Sequence, residues 1–184
     1  MNRRTFITAT AAASGWLLLT AHSPYRQWVI YRQTHLVILT SRDDPGADDL
    51  GEKVAARVRA ALPDSKAAVG RGPKVQRIAS LISTRQAEVA IVSRANALAM
   101  VHGSAPFDQI GAIDLRVLAR NDDYLLVCRD DFPRAHAYLV AEALVDQGNP
   151  LGLFVPVPAS AEIPPHAGAL AFADGQTLEP GDAK

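Results

Sequence analysis

Leu115-Arg-Val-Leu-Ala-Arg120-Asn-Asp-Asp-Tyr124-Leu-Leu-Val-Cys128 sets two short apolar segments, residues 115–119 and 124–128, on either side of a four-residue polar break. Apolar runs of this length bounded by polar residues mark strands covered on both faces. A break so short leaves room for a turn and nothing larger, so the stretch predicts a hairpin.

Working upstream, Leu36-Val-Ile-Leu-Thr40 is another continuous apolar run and predicts the first strand. Residues 41–46 predict a loop. Leu50, Val54, Val58 and Leu62 then recur at intervals of four, with Asp48 and Asp49 favourably placed in the first turn of a helix. Pro63-Asp64 breaks that helix, and residues 66–69 give a short second strand. Gly70-Arg71-Gly72-Pro73 turns into a helix carrying Val75, Ile78, Ala79 and Ile82. Residues 88–92 predict the third strand, residues 95–101 a helix, and residues 103–111 a loop.

Downstream, Pro133 opens a helix to about residue 147, with Tyr138, Leu139, Ala143 and Leu144 inward. Gly148-Asn149-Pro150 stops it. A proline-rich crossing over residues 155–165 leads to a short helical piece over 166–173, and a polar tail expected to be disordered follows from Asp174. Strands alternate with helices. That pattern predicts an α/β fold, a mostly parallel open sheet with helices on both faces, in which ligands dock outside the carboxyl ends of the strands.

Composition agrees. Of 184 residues 48% are hydrophobic but only 6% aromatic, which suits small helices packed on a sheet. Nineteen basic residues balance nineteen acidic ones, so no global field draws the chain to nucleic acid or to anionic lipid. The single cysteine, Cys128, excludes an internal disulfide and a thiolate metal cluster, and its apolar neighbours predict a buried strand position. The length supports one domain, over residues 34–173, after a targeting segment over residues 1–23 and before the tail at 174–184.

That targeting segment begins Met1-Asn-Arg3-Arg4-Thr-Phe6-Ile7 and continues into a weakly apolar, alanine-rich stretch. The spacing Arg-Arg-x-Phe-Ile resembles the twin-arginine export signal, which implies a periplasmic protein. An uncleaved membrane anchor stays open as the alternative, since Ala21-His22-Ser23 before Pro24 is a poor cleavage context.

The order of elements and several segments resemble the TAXI-type solute receptors of tripartite (TRAP) transporters, which have the type II periplasmic binding fold. The segments are Ala87-Glu88-Val89-Ala90-Ile91-Val92, the helix over 138–144, and Pro165-His166-Ala167-Gly168-Ala169. The resemblance spans residues 36–172. It implies a binding protein without catalytic residues, but relatives have two lobes joined by two crossing strands, and here only residues 120–123 separate the segments that correspond to those strands. The chain therefore resembles a single lobe. Its loops also depart from the family: Ser41-Arg42-Asp43-Asp44-Pro45-Gly46 replaces a glycine- and threonine-rich turn. Beside the small carboxylate that such receptors typically hold, Asp43 and Asp44 would be unfavourable.

If the first three strands are parallel neighbours, Arg42, Arg71, Lys74, Arg77 and Arg94 converge near their carboxyl ends, joined by Gly72 and Ser93. That set is the candidate ligand- or partner-binding site, for an anion or an acidic partner, with the helix start at Pro73 adding backbone donors. The alternative is a solvated surface neutralised by Asp43, Asp44 and Asp48. The five histidines show no metal spacing, and neither a nucleophile elbow nor a phosphate loop occurs, so no metal, cofactor or catalytic residue is expected. His166 is expected to cap or pack at a helix start.

Two functions follow as expectations. One is an accessory or structural subunit of a periplasmic or membrane-associated complex, its inner face, with Tyr124, Leu126 and Phe154, covered by a protein partner or by a homodimer. The other is a receptor for a small carboxylate feeding a TRAP-type transporter. Contact with a membrane is expected only through an uncleaved N-terminal segment or through a transporter.

Overall fold

Alternation along each strand decides the architecture. Ile38, Val89, Ile91, Leu126 and Cys128 belong to one buried cluster, while Leu39, Ala90, Val92, Leu125 and Val127 belong to a second. Successive side chains of a strand point to opposite faces, so both faces of this sheet are covered. In the computed structural model, which describes residues 35–145, 151–156 and 161–178, the strands are β1 (Val37–Ser41), β2 (Ala68–Gly72), β3 (Val89–Ser93), β4 (Leu115–Arg120) and β5 (Tyr124–Arg129). They form one sheet in the order β2-β1-β3-β5-β4. β1 runs parallel to β2 and β3, and β5 runs antiparallel to both β3 and β4. The chain is α/β with a mostly parallel open sheet, as its sequence predicts.

The first helix, α1 (Pro45–Ala61), starts earlier than its apolar spacing indicates. Asp44 caps it by accepting from the Ala47 amide at 3.1 Å, and Pro45, with φ preset and no N–H to satisfy, takes the first helical position. Pro45 and Gly46 are thus helical rather than loop residues. The buried stripe is Ala47, Gly51, Val54, Ala55 and Val58, with Leu50 only half-buried. These residues are small because the helix lies close to β1: a Cβ on Gly51 would come 2.5 Å from Thr40 Cγ2.

On the opposite face lie α2 (Val75–Ser83), burying Val75, Ile78, Ala79 and Ile82, and α3 (Arg94–His102), burying Ala97 and Met100. α4 (Arg134–Val145) joins α1 on the first face, and α5 (Ala167–Ala173) packs against α4 through Gly168, where an added Cβ would run into the Arg134 carbonyl. His166 is 4% exposed and caps α5, its Nδ1 accepting from the Gly168 amide at 3.1 Å. Burial holds its pKa below the usual histidine value.

The predicted hairpin forms. Asn121 Oδ1 accepts from the amides of Asp123 (3.0 Å) and Tyr124 (2.7 Å), which closes the turn locally. A bulge between Val117 and Ala119 breaks the alternation, so that Leu118 and Ala119 both belong to the first cluster. Beyond β4 the sheet edge is occupied: Arg120 and Phe154 exchange backbone bonds at 2.9 and 2.8 Å, the Val117 amide donates to Pro164, and the His166 amide donates to Val117.

Three expectations need correction or placing. The second strand is not residues 66–69 but Ala68–Gly72, because parallel pairing with β1 continues through Leu39 with Gly70, Thr40 with Arg71 and Ser41 with Gly72. Residues 174–178, expected to be part of a disordered tail, are packed: Leu178 is buried against the first cluster and the Gln176 carbonyl accepts from Tyr138 Oη at 2.8 Å. The segment over residues 1–23, the end of the helix near residue 147 and the remaining tail lie outside the described residues. Among the described residues no helix is long and apolar enough to cross a membrane. Cys128 is buried as predicted, and desolvation pushes its thiol pKa far up.

Candidate functional site

Parallel pairing sets the carboxyl ends of β1, β2 and β3, namely Ser41, Gly72 and Ser93, on one rim of the sheet. Tyr124, at the start of the reversed β5, pairs with Ser93 and joins the same rim. The basic residues predicted to converge there do reach it, but they are not equivalent.

Arg71 sits on β2 itself rather than in a loop, one residue before the strand ends. Its Nε lies 2.9 Å from Asp48 Oδ1, and its Nη2 pairs with Glu52, so α1 carboxylates neutralise it. Asp48 also accepts from Thr40 Oγ1 at 2.8 Å, and these bonds hold its carboxyl below the ordinary range. Arg94, at the start of α3, is neutralised in the same way: Nε and Nη2 reach Glu162 at 2.8 and 2.5 Å, and its amide donates to the Asp123 carbonyl. Ser93 is the α3 cap, its Oγ accepting from the Asn96 amide at 3.4 Å.

Arg42, Lys74 and Arg77 are exposed and form no ion pair among the described residues. Backbone contacts keep them near one another. The Arg42 amide donates to the Gly72 carbonyl at 3.0 Å, Lys74 precedes α2, and the Arg77 amide donates to the Lys74 carbonyl at 3.0 Å. Among the described residues no side chain caps this helix start. Gly72 is buried, and a Cβ there would sit 3.2 Å from Ile78 Cγ1, so its smallness lets α2 fold back on the sheet.

Glu52 and Glu162 are absent from the sequence-based site, while Asp44 enters it only as a neutralising charge and Tyr124 only as part of an apolar inner face. Tyr124 Oη donates to Asp44 Oδ1 at 2.8 Å across the start of α1, and Gly46 leaves room for the ring. The hydrogen bond to Asp44, with desolvation second, pushes the Tyr124 phenol up to about 12. The N-terminus of α1 is therefore filled by the protein's own carboxylate and hydroxyl. Asp44 carries a usable signal, an aspartate directly before a proline at a helix start. Tyr124 and Glu162 carry none, because their partners lie 80 and 68 residues away.

The expected apolar inner face is not present. Leu126 is 1% exposed beneath the α1 and α4 layer and Tyr124 is half-buried, which leaves only Phe154, at 40%, exposed from that set. Arg120 lies over its ring, Cζ 5.1 Å from the centroid, a cation–π contact. The space above the strand ends is an open recess bounded by Ser93, Arg94, Leu98, Asp122, Tyr124 and Glu162. Among the described residues no three His, Cys, Asp or Glu side chains gather as a metal site would require. Set against protein-family models, curated proteins and solved structures, the chain matches none of them.

Proposed function

We propose that this chain is a non-enzymatic interaction module, a single-lobe relative of the TAXI solute receptors that is exported to the periplasm by the twin-arginine route and serves as an accessory subunit of a periplasmic or membrane-associated complex. One observation carries the reading. The groups with which a lobe of this kind would grip a small solute are engaged internally: Asp44 and Tyr124 fill the start of α1, Glu52 and Asp48 hold Arg71, and Glu162 holds Arg94. What remains available is a rim of cations that form no ion pair among the described residues, Arg42, Lys74 and Arg77, beside an open recess. Small-molecule sites are concave and bury most of the ligand, whereas an open charged rim suits an acidic protein surface.

Tagged full-length wild type and the triple variant Arg42→Glu, Lys74→Glu, Arg77→Glu, each recovered from periplasm, test this reading. A protein that co-elutes in fixed ratio with wild type and is lost with the variant is the expected result. Retention of the same partner by the variant sinks the assignment of the rim.

A second reading, a receptor for a small carboxylate, is favoured by the uncapped start of α2 between Lys74 and Arg77, where free amides and cations coincide. It requires a monomer whose Tm rises in the presence of a small dicarboxylate or an amino acid.

A further inference from the structure

We infer that two copies of this chain join through β2, edge to edge and antiparallel, with Gly70 on the two-fold axis. β2 is the last strand of the sheet and pairs only with β1. The Ala68 amide donates to Leu36 and the Gly72 carbonyl accepts from Arg42, so alternate residues of β2 turn their polar groups toward β1. Val69 and Arg71 must then point theirs outward. These groups have no backbone partner outside the sheet among the described residues.

Proteins usually blunt such an edge with a bulge, a proline or a charged side chain lying over it. Here the register with β1 is unbroken, proline enters only at Pro73 after the strand, and the Arg71 guanidinium is drawn back onto α1 by Asp48 and Glu52. The edge is short, yet the described residues leave it open.

The open pattern is self-complementary. Rotation about Gly70 sets Val69 against the second copy's Arg71 and Arg71 against its Val69, giving about four N–H···O bonds, since each such antiparallel pair exchanges both. Gly70 faces Gly70 at the close, non-bonded position, about 4.5 Å between Cα atoms, where no side chain obstructs. Arginine does not face arginine, so directly opposed like charges are avoided. α1 lies over β1 and reaches β2 on one side and β3 on the other, so the pairing sets the two α1 helices about three strand spacings, or about 14 Å, apart and adds no helix contact to the strand bonds. On the other face Val37, 45% exposed, and Leu39 lean over Gly70, so apolar surface borders the axis. Asp48 and Glu52 of both copies gather near the axis and are only partly offset by Arg71, so added salt should tighten the pair.

Sedimentation equilibrium of the full chain over a concentration series, combined with amide exchange at Val69 and Arg71, tests the inference. We expect a monomer–dimer equilibrium that strengthens with salt and slows exchange at both amides as concentration rises. Ala68→Lys places a cation at an exposed edge position and should weaken dimerisation at least about tenfold without loss of fold. Val69→Pro, which removes an outward amide, serves as the second variant. A chain that stays monomeric into the millimolar range, a dimer indifferent to both substitutions, or amides already slow in the monomer would each overturn the pairing.

Discussion

At β4 the outer edge of the sheet is sealed by chain arriving from later in the sequence, with Phe154, Pro164 and His166 taking up the backbone groups of Val117 and Arg120. At β2, on the far side, no described residue continues the sheet, and the one charged residue of the strand is folded away onto α1. The covered edge depends on non-local closure: α5 must dock on α4 so that residues 163–166 lie along β4. The open edge depends only on the local β1–α1–β2 unit, so damage at one should not spread to the other.

The strongest way to break the covered edge is Gly168→Ala. The added Cβ meets the Arg134 carbonyl, a backbone atom that cannot step aside, and the Ala137 Cβ. We expect a loss of about 3 kcal/mol, which lowers Tm by roughly 6–12 °C for a chain of this size in a thermal melt. Next comes His166→Ala, which leaves the Gly168 amide without its acceptor and should cost about 1–2 kcal/mol in urea unfolding. His166→Asn keeps an acceptor and should recover most of that loss.

The same pair of variants sharpens the comparison through pH. Burial lowers the folded-state pKa of His166 below the 6.5 of an ordinary imidazole, so the unfolded chain binds its proton first. The stabilising contribution is full above the unfolded pKa and is lost as pH falls through the folded one. Wild type should therefore show a falling Tm on mild acidification that His166→Asn lacks. If the protection factor of the Val117 amide does not fall in acid, His166 is not what holds the covered edge closed.

Between the two edges, Tyr124→Phe removes the hydroxyl that meets Asp44 and should cost about 1 kcal/mol. Tyr124 itself, pushed up to about 12 against the ordinary 10, contributes stability that is complete below pH 10 and disappears as pH rises toward 12. Ultraviolet titration should show a tyrosine ionising near pH 12 that is missing from Tyr124→Phe. The smallest effect is expected at the open edge. Arg71→Met breaks exposed ion pairs on one local unit, and in dilute solution, where the chain is monomeric, its Tm should be indistinguishable from wild type at moderate salt.

The strands at the centre of the sheet were legible because burial on both faces writes itself as an unbroken apolar run, as in residues 36–40 and 124–128. β2 was legible only in part. An edge strand with Gly70, Arg71 and Gly72 carries no such run, and its pairing with β1 decides where it ends. For the site, the sequence brought the cations to one rim but could not say which of them stay free, because Glu162 and Tyr124 reach Arg94 and Asp44 across most of the fold. Leu126 misled for a related reason: an apolar strand residue looks the same whether a helix layer covers it or a partner does, and here α1 and α4 cover it.

The Asn121 turn joins two antiparallel neighbours, so its two ends lie about one strand spacing apart, roughly 5 Å. That makes it a socket. A folded cargo whose own termini are adjacent could be spliced between Arg120 and Tyr124 while every rung of the sheet stays in place, and it would emerge directly over the strand ends. A small fluorescent reporter grafted there would hang above the cationic rim and respond to whatever arrives.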